Sequence, residues 1–238
     1  MIQIPPSVFN EAVKAFWDRR LLQQQTQQLL GKIDQGNRGA ATGGKQMDGF
    51  ALTITNLLLG AGVLAGSIHV TRGLSVVPGF FRPTKTYDFL VVSGGQLKAV
   101  IELKSQVGPS FGNNFNNRCE EAMGSALDIW TAYREGAFGD APSPWAGYLI
   151  LLEDCPESRA PVKVSEPHFR VFPEFRGTSY ATRYELFCRK MVRERHYNSA
   201  CFLLAEKALA NQVPNYTEPA PDLTANKFLT DLLRHVVD

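Results

Sequence analysis

The sequence lacks the features that mark membrane, secreted and zinc-binding proteins. No apolar run approaches the roughly 20 residues of a membrane span, and the longest candidate, Leu57 to Ile68, is interrupted by three glycines. The first six residues have neither the basic start nor the apolar stretch of a signal peptide. The four cysteines form no Cys-x-x-Cys pair, and the four histidines are scattered. We therefore expect reduced thiols, a cytoplasmic protein without a membrane anchor, and no zinc site.

A large excess of charge is also absent. The formal net charge is only +2, which excludes a protein coated in positive charge. The stretch Arg159 to His196 nevertheless carries nine Lys and Arg against four Glu, a net of +5, whereas Tyr197 to Asp238 has a net of −2. A localised polyanion-binding surface accounts for this pattern. A solvated helix face would also account for the pattern and is the simpler explanation of the charge alone. That helix face would carry Arg189, Lys190, Arg193 and Arg195.

The composition that remains is that of an ordinary globular protein, with 44% apolar and 20% charged residues. A chain of 238 residues can bury one substantial core, and no repeat or linker divides it. We predict one α/β domain over 1–238 with a mixed central β-sheet flanked by helices, and an N-terminal helical segment, about 1–70, packed on the core. Apolar periodicity predicts helices over 7–31, 47–59, 117–133, 180–196 and 224–237, strands over 87–92, 97–103, 146–152 and 200–205, and a mobile glycine-rich loop over 36–44.

Two of these strands are separated by Ser93-Gly94-Gly95-Gln96, which predicts a β-hairpin. A three-residue loop ending at Gln96 places Asp88 opposite Glu102, so that Asp88, Glu102 and Lys104 share one face of the sheet. A two-residue turn instead places Asp88 and Glu102 on opposite faces. The apolar pattern favours the first register, because that register collects these side chains on the other face: Phe89, Val91, Ile101 and Leu103.

The triplet Glu102-Leu103-Lys104 places two charged residues at the end of an apolar strand, which conflicts with a purely structural role. Such conflicts between local pattern and structural role tend to mark functional sites. Two facing carboxylates, with Cβ atoms about 4–5 Å apart, are hard to keep ionised together without a cation. Carboxylate oxygens suit Mg²⁺, which would polarise a phosphate oxygen and acidify a water. Lys104 could orient that water. The alternative is a surface ion pair between Glu102 and Lys104 on an edge strand, with Asp88 flanking a turn.

The arrangement Asp88…Glu102-Leu103-Lys104 resembles the PD-(D/E)xK signature of restriction-type nucleases, with Tyr87 in place of the proline. More specifically, the chain resembles the XhoI family of type II restriction endonucleases. The stretches that carry this resemblance span most of the chain from Gly43 to Ala205; they are Gly43–Phe50, Glu102–Gln106, Ser110–Arg118, Phe172–Gly177 and Tyr184–Arg189.

The resemblance implies a bacterial, restriction-endonuclease-like protein that acts as a homodimer on double-stranded DNA. The family cuts the palindrome CTCGAG after its first C and leaves 5′ overhangs, and a two-fold protein matches a palindrome because each subunit reads one half-site. By carry-over, Asp88, Glu102 and the Leu103 carbonyl would hold Mg²⁺, and Lys104 would serve the attacking water. A cognate DNA methyltransferase would share the site without necessarily binding this protein.

Residues just after the catalytic strand are candidates for contacting DNA. Asn and Arg read adenine and guanine in the major groove, which makes candidates of Asn113, Asn114, Asn117 and Arg118. Asn117, with Glu120 three residues later, also fits a helix N-cap, and Asn113 and Asn114 could simply shape a turn. Arg118 is the preferred base reader, because an Arg in the first turn of a helix gains nothing from the helix dipole.

Three further residues are assigned by position. Lys45 follows the glycine-rich stretch and could contact phosphate. Asp48 is either an accessory metal carboxylate or an acid favoured by the positive end of a helix dipole. Gln106 is a DNA-binding candidate on the face of Lys104, provided that the strand continues that far.

Three rival functions remain open from the sequence. A nuclease of the same type could cleave junctions or take part in repair. A DNA-binding protein without catalysis would use the carboxylates structurally and would bind DNA equally well in EDTA. An unrelated α/β protein would show no salt-sensitive affinity for DNA.

Overall fold

The computed structural model describes residues 4–29, 44–71 and 73–237. Most of the predicted loop over 36–44, and the side chain of Lys45, lie outside the described residues. The helices are α1 (Asn10–Leu29), α2 (Asp48–Gly60), α3 (Phe111–Arg134), α4 (Pro156–Arg159), α5 (Tyr180–Arg193) and α6 (Ala225–Val237). The strands are β1 (Ile68–His69), β2 (Val76–Pro78), β3 (Thr84–Thr86), β4 (Phe89–Ser93), β5 (Gln96–Gln106), β6 (Trp145–Glu153) and β7 (Ser199–Ala205).

In the described residues, five strands form a mixed central sheet in the order β1-β4-β5-β6-β7. The strand β4 pairs antiparallel with both β1 and β5, whereas β5, β6 and β7 pair parallel. A parallel pair needs a long crossover, which α3 supplies between β5 and β6. The strand β5 therefore lies in the middle of the sheet, between the hairpin partner β4 and the buried strand β6. The predicted single α/β domain with a mixed sheet is confirmed.

Helices cover both faces of this sheet. On one face, α1, α2 and α6 pack against the strands through Phe16, Phe50 and Phe228. On the other face, α3 and α5 pack through residues such as Ile129 and Tyr184. None of the described helices is long and apolar enough to span a membrane.

The hairpin between β4 and β5 combines the two registers that the sequence left open. Its turn has two residues, Gly94 and Gly95, which adopt φ angles of 58° and 75° that favour glycine. A β-bulge then follows, because Val92 pairs with Leu97 whereas Val91 pairs with Ala99. The predicted three-residue loop is wrong. The predicted pairing at the catalytic end is nevertheless correct, because the extra residue, Lys98, restores the register.

Two helix starts differ from the predictions. The first helix begins at Asn10 and not at Ser7, whose φ angle of 55° is left-handed. The helix α3 begins at Phe111, six residues before the predicted start, so Asn117 is not an N-cap. Aromatic packing of Phe111 and Phe115 against Tyr180 of α5 explains this early start, because it stabilises an asparagine-rich segment of low helix propensity. The last predicted helix is present as α6, and Thr224 caps it, since Lys227 N donates to Thr224 Oγ1.

Candidate active site

The predicted triad comes together beside the middle of β5. Glu102 and Lys104 lie two residues apart on this strand and therefore on one face of the sheet. Asp88 lies just before β4, next to the pair formed by Phe89 and Ile101. Its Oδ2 accepts hydrogen bonds of 2.9 Å from both the Leu103 amide and the Lys104 ammonium. These bonds hold the Asp88 carboxylate against the strand that carries the other two groups.

Glu102 is a buried carboxylate held between two lysines. Only 1% of the residue is exposed. The Lys104 ammonium contacts Oε2, and the Lys85 ammonium lies 2.8 Å from Oε1. Lys85 comes from β3, in a separate two-stranded sheet, and its ammonium also lies 5.0 Å from the centre of the Tyr87 ring. Sequence analysis does not identify Lys85 as a site residue, because a single lysine between two threonines is typical of an ordinary exposed strand.

The electrostatic surroundings shift the pKa values of the two carboxylates in opposite directions. Burial by itself would raise the pKa of Glu102, but the ammonium groups of Lys104 and Lys85 outweigh it and hold that pKa at about 2. Burial raises the pKa of Asp88; the Lys104 ammonium opposes this rise and the Glu102 carboxylate adds to it. The pKa of Lys104 is raised by both carboxylates despite its burial. Glu102 is therefore the more firmly ionised member of the pair.

Several oxygen atoms at this point suit a hard divalent cation. Glu102 Oε1 is buried, and the Lys85 ammonium lies 2.8 Å from it. The Leu103 amide points towards Asp88. Since the N–H and C=O of a strand residue point the same way, the Leu103 carbonyl opens to the same side. Carboxylate and carbonyl oxygens are the ligands that Mg²⁺ prefers, so these residues fit the ion that the sequence predicts.

The family of the chain follows from comparison with known proteins. The family model described as "Restriction endonuclease XhoI" matches residues 25–217. The chain belongs to the XhoI family of restriction endonucleases. Members of such families are site-specific deoxyribonucleases that act on double-stranded DNA and generally use a divalent metal.

Named relatives of this XhoI-family chain are type II restriction enzymes. It is 58% identical over 214 residues to BstVI of Geobacillus stearothermophilus, which covers 88% of this chain and 94% of the relative. Identity is 48% over 183 residues to XhoI of Xanthomonas vasicola, covering 76% of this chain and 72% of the relative. With AbrI of Azospirillum brasilense it is 52% over 161 residues, covering 68% and 72%. No solved structure gave a significant match.

Two predicted site residues of this XhoI-family protein are engaged elsewhere. Asp48 begins α2 and pairs with Arg19 of α1 at 2.7 Å. No group of three or more acidic, His or Cys side chains suited to a metal ion occurs among the described residues, so Asp48 does not join the triad. Gln106 does extend β5, as the prediction required, but only 3% of it is exposed. Its amide donates to the Phe111 carbonyl and accepts from the Tyr184 hydroxyl, so both ends are used inside the protein.

The DNA-contact candidates on α3 differ in accessibility. Asn113 and Asn117 are exposed and Asn114 is partly buried. Arg118 lies in the third turn and not the first, which removes the reason for preferring it as a base reader. Its side chain is 23% exposed and pairs with Glu121 at 2.5 Å. Asn113 and Asn117 are therefore more exposed to solvent than Arg118 is.

Five of the nine basic side chains in the stretch Arg159–His196 form ion pairs with acids. Most of its charged side chains form ion pairs of the surface type, which agrees with the solvated-face interpretation. The pairs are Arg159–Asp154, Arg176–Glu166, Arg189–Asp222, Lys190–Glu174 and Arg193–Glu194.

Proposed function

We propose that this XhoI-family chain is a Mg²⁺-dependent type II restriction endonuclease that hydrolyses both strands of a palindromic DNA site. The observation that supports this most directly is the convergence of Asp88, Glu102 and Lys104 beside one central strand. The resemblance to the family supplies the sequence CTCGAG and cleavage after the first C, which leaves 5′ overhangs.

In this proposal Asp88, Glu102 and the Leu103 carbonyl hold Mg²⁺. Bound there, the ion would polarise a phosphate oxygen and favour ionisation of a water molecule. Lys85 supports this site from outside the ligand set, because its ammonium lies beside Glu102 Oε1 and limits how that carboxylate can turn. Groups that orient ligands in this way are usually needed for full activity.

Lys104 has the most direct role of the chain's own residues. Its ammonium contacts both carboxylates, so it lies where negative charge is already concentrated. On a flexible four-carbon stem it can leave one carboxylate to donate a hydrogen bond to the attacking water or to the phosphate oxygen on which charge develops. Direct attack by water then needs no covalent intermediate on the protein.

The active species in this proposal is a homodimer, since identical half-sites are most simply read by identical subunits. A bacterial cell that makes the enzyme would protect its own DNA with a methyltransferase of the same specificity. That enzyme shares the DNA site and does not need to contact this chain.

Digestion of a sequenced plasmid with Mg²⁺, followed by mapping of the ends, tests the proposal. A plasmid in which each CTCGAG differs by one base pair is the matched control. We expect cuts with 5′ overhangs at CTCGAG only, and none in EDTA. Cuts that follow branched or damaged DNA would instead indicate a junction or repair nuclease. Salt-sensitive binding that is equal in EDTA, without cleavage, would indicate a binding protein that does not cut.

A further inference from the structure

The helix α3 carries a row of outward-facing side chains, which we call the outer seam. It consists of Glu120, Met123, Leu127, Trp130 and Arg134. The spacing alternates between three and four residues, which keeps the row on one side of a helix and is typical of a helix-packing seam. The opposite side of α3 is buried against the sheet. Met123 and Leu127, by contrast, are 44% and 50% exposed.

The charges at the two ends of the seam are opposite and symmetrically placed. Glu120 lies seven residues before Leu127 and Arg134 lies seven residues after it. In the part of the chain that the structure describes, neither forms an ion pair within 4 Å, although several neighbouring charges do. Trp130 is held in place, because its indole N–H donates to the His196 carbonyl at 2.8 Å.

We propose that a second copy of this chain packs antiparallel along the outer seam, with the two-fold axis at Leu127. Two copies of Leu127 would then meet at the axis, and Met123 would lie beside Trp130 of the partner subunit. Glu120 would face Arg134 of the partner subunit at both ends. A two-fold interface requires this kind of self-complementarity, in which each contact occurs twice. The inference rests on the homodimer of the proposed function and names the surface that forms it.

The flanks of the seam enlarge the apolar area. On one side a groove of about 730 Å³ runs between α3 and the end of α5, lined in part by Trp130, Tyr133 and Val192. On the other side the loop between β2 and β3 presents Phe80 and Phe81, which are 49% and 65% exposed. Asp128, next to Leu127, holds that loop through hydrogen bonds from both phenylalanine amides. A stable interface needs about 800 Å² from each subunit, so we expect both flanks to join the seam in the contact.

Sedimentation of the full chain without DNA tests this interface. We expect a dimer for the wild type and a monomer for Leu127→Glu, because that variant places two like charges together at the axis. The matched control is Leu52→Glu on α2, where the leucine is 60% exposed; it should remain a dimer. Circular dichroism and thermal unfolding should show all three proteins folded. A monomeric wild type, or a dimeric Leu127→Glu, would overturn the inference.

Charge exchange tests the antiparallel register. Glu120→Arg and Arg134→Glu should each weaken the dimer about tenfold or more, because each creates two like-charge contacts. The double variant Glu120→Arg/Arg134→Glu should restore it, whereas a double variant weaker than either single one would reject the register. Plasmid cleavage is read separately. A monomer that still cuts CTCGAG with Mg²⁺ would reject the outer seam as a dimer interface but would leave the proposed catalytic function unaffected.

Discussion

At the scale of single residues, the unusual feature of this XhoI-family protein is a buried carboxylate that already has two cations. Lys85 and Lys104 neutralise Glu102 from opposite oxygens. A buried charge is tolerated only with such partners. Asp88 shares the Lys104 ammonium, so the site holds two carboxylates and two ammonium groups, and its own charges sum to zero.

We expect Glu102→Gln to lose cleavage while the protein stays folded. The substitution keeps the shape of the side chain but removes the charge, and the rate should fall to less than about 1% of wild type, a barrier increase of about 2.7 kcal/mol or more. Asp88→Asn should behave in the same way, and Lys104→Ala should be inactive yet still bind metal. The control is Glu135→Gln, at an exposed position on the same chain. Single-turnover cleavage with thermal unfolding measures both properties; substantial activity in Glu102→Gln would remove it from the site.

Lys85→Met should slow cleavage about 10- to 100-fold, the usual effect of removing a group that orients a metal ligand. Lys85→Arg should recover part of the rate, because it restores a cation beside Glu102 Oε1. Lys98→Met, at the bulge of the hairpin, is the matched control. Rates at several Mg²⁺ concentrations are the measurement. Equal rates for the Lys85→Met and Lys98→Met variants would show that Lys85 has no positioning role.

At the scale of elements, the hairpin of β2 and β3 brings Lys85 to the site, and α3 anchors that hairpin. The buried carboxylate of Asp128 accepts hydrogen bonds from Phe80 N at 2.7 Å, Phe81 N at 3.0 Å and Arg82 Nε at 2.6 Å. Burial alone would raise the pKa of Asp128, but these donors outweigh it and keep that pKa below its ordinary value.

We expect Asp128→Ala to lower the free energy of unfolding by about 3 kcal/mol, because it leaves the hairpin donors without their acceptor. Asp140→Ala, at an exposed position, should change it little. A carboxylate with a lowered folded-state pKa stabilises the protein above its unfolded pKa and loses this effect as the pH falls through the folded value. The difference between wild type and Asp128→Asn should therefore shrink below about pH 4. Denaturant titrations across pH measure this, and a constant difference would contradict the assignment.

The first turns of α3 provide a test of DNA reading. Asn113→Ala or Asn117→Ala should cost about 1–3 kcal/mol at a single adenine position if that asparagine reads a base. Arg118→Ala should leave single-base discrimination unchanged, because its side chain is mostly buried and paired with Glu121. Binding to cognate DNA and to each single-base variant, at two salt concentrations, separates these cases. A loss confined to one guanine position in Arg118→Ala would restore it as the base reader.

How far the sequence predicts these elements depends on where their determining contacts lie. The run Ala146–Leu152 predicts a buried strand because the signal is local, and alternation places Asp88 with Glu102 because side chains in strands change face at each residue. The start of α3 was missed because it depends on Phe115 packing against a helix far along the chain. Lys85 was missed for the same reason, since only the folded hairpin brings it to Glu102.

At the scale of the whole molecule, we expect two chains on each cognate duplex. A palindrome read by one subunit would need two different surfaces for identical half-sites. Sedimentation of the complex in Ca²⁺ or without metal, so that the DNA stays intact, gives the ratio directly. A one-to-one complex that is cut on both strands would contradict this expectation, whereas two chains per duplex would agree with it.

The bulge in the hairpin between β4 and β5 also limits which insertions and deletions the gene can tolerate there. The two-residue turn alone would send Asp88 to the opposite face from Glu102, and the single extra residue at Lys98 brings it back. Loss of one codon at the bulge would therefore exchange the faces of β4, turning the aspartate towards the core that holds Phe89 and Val91 and moving these two side chains to the opposite face. Coordinated gain or loss of residues on both sides of the turn would preserve the faces. In a lineage of these enzymes, this hairpin can therefore gain or lose residues only in numbers that leave the side chains of β4 and β5 on their present faces.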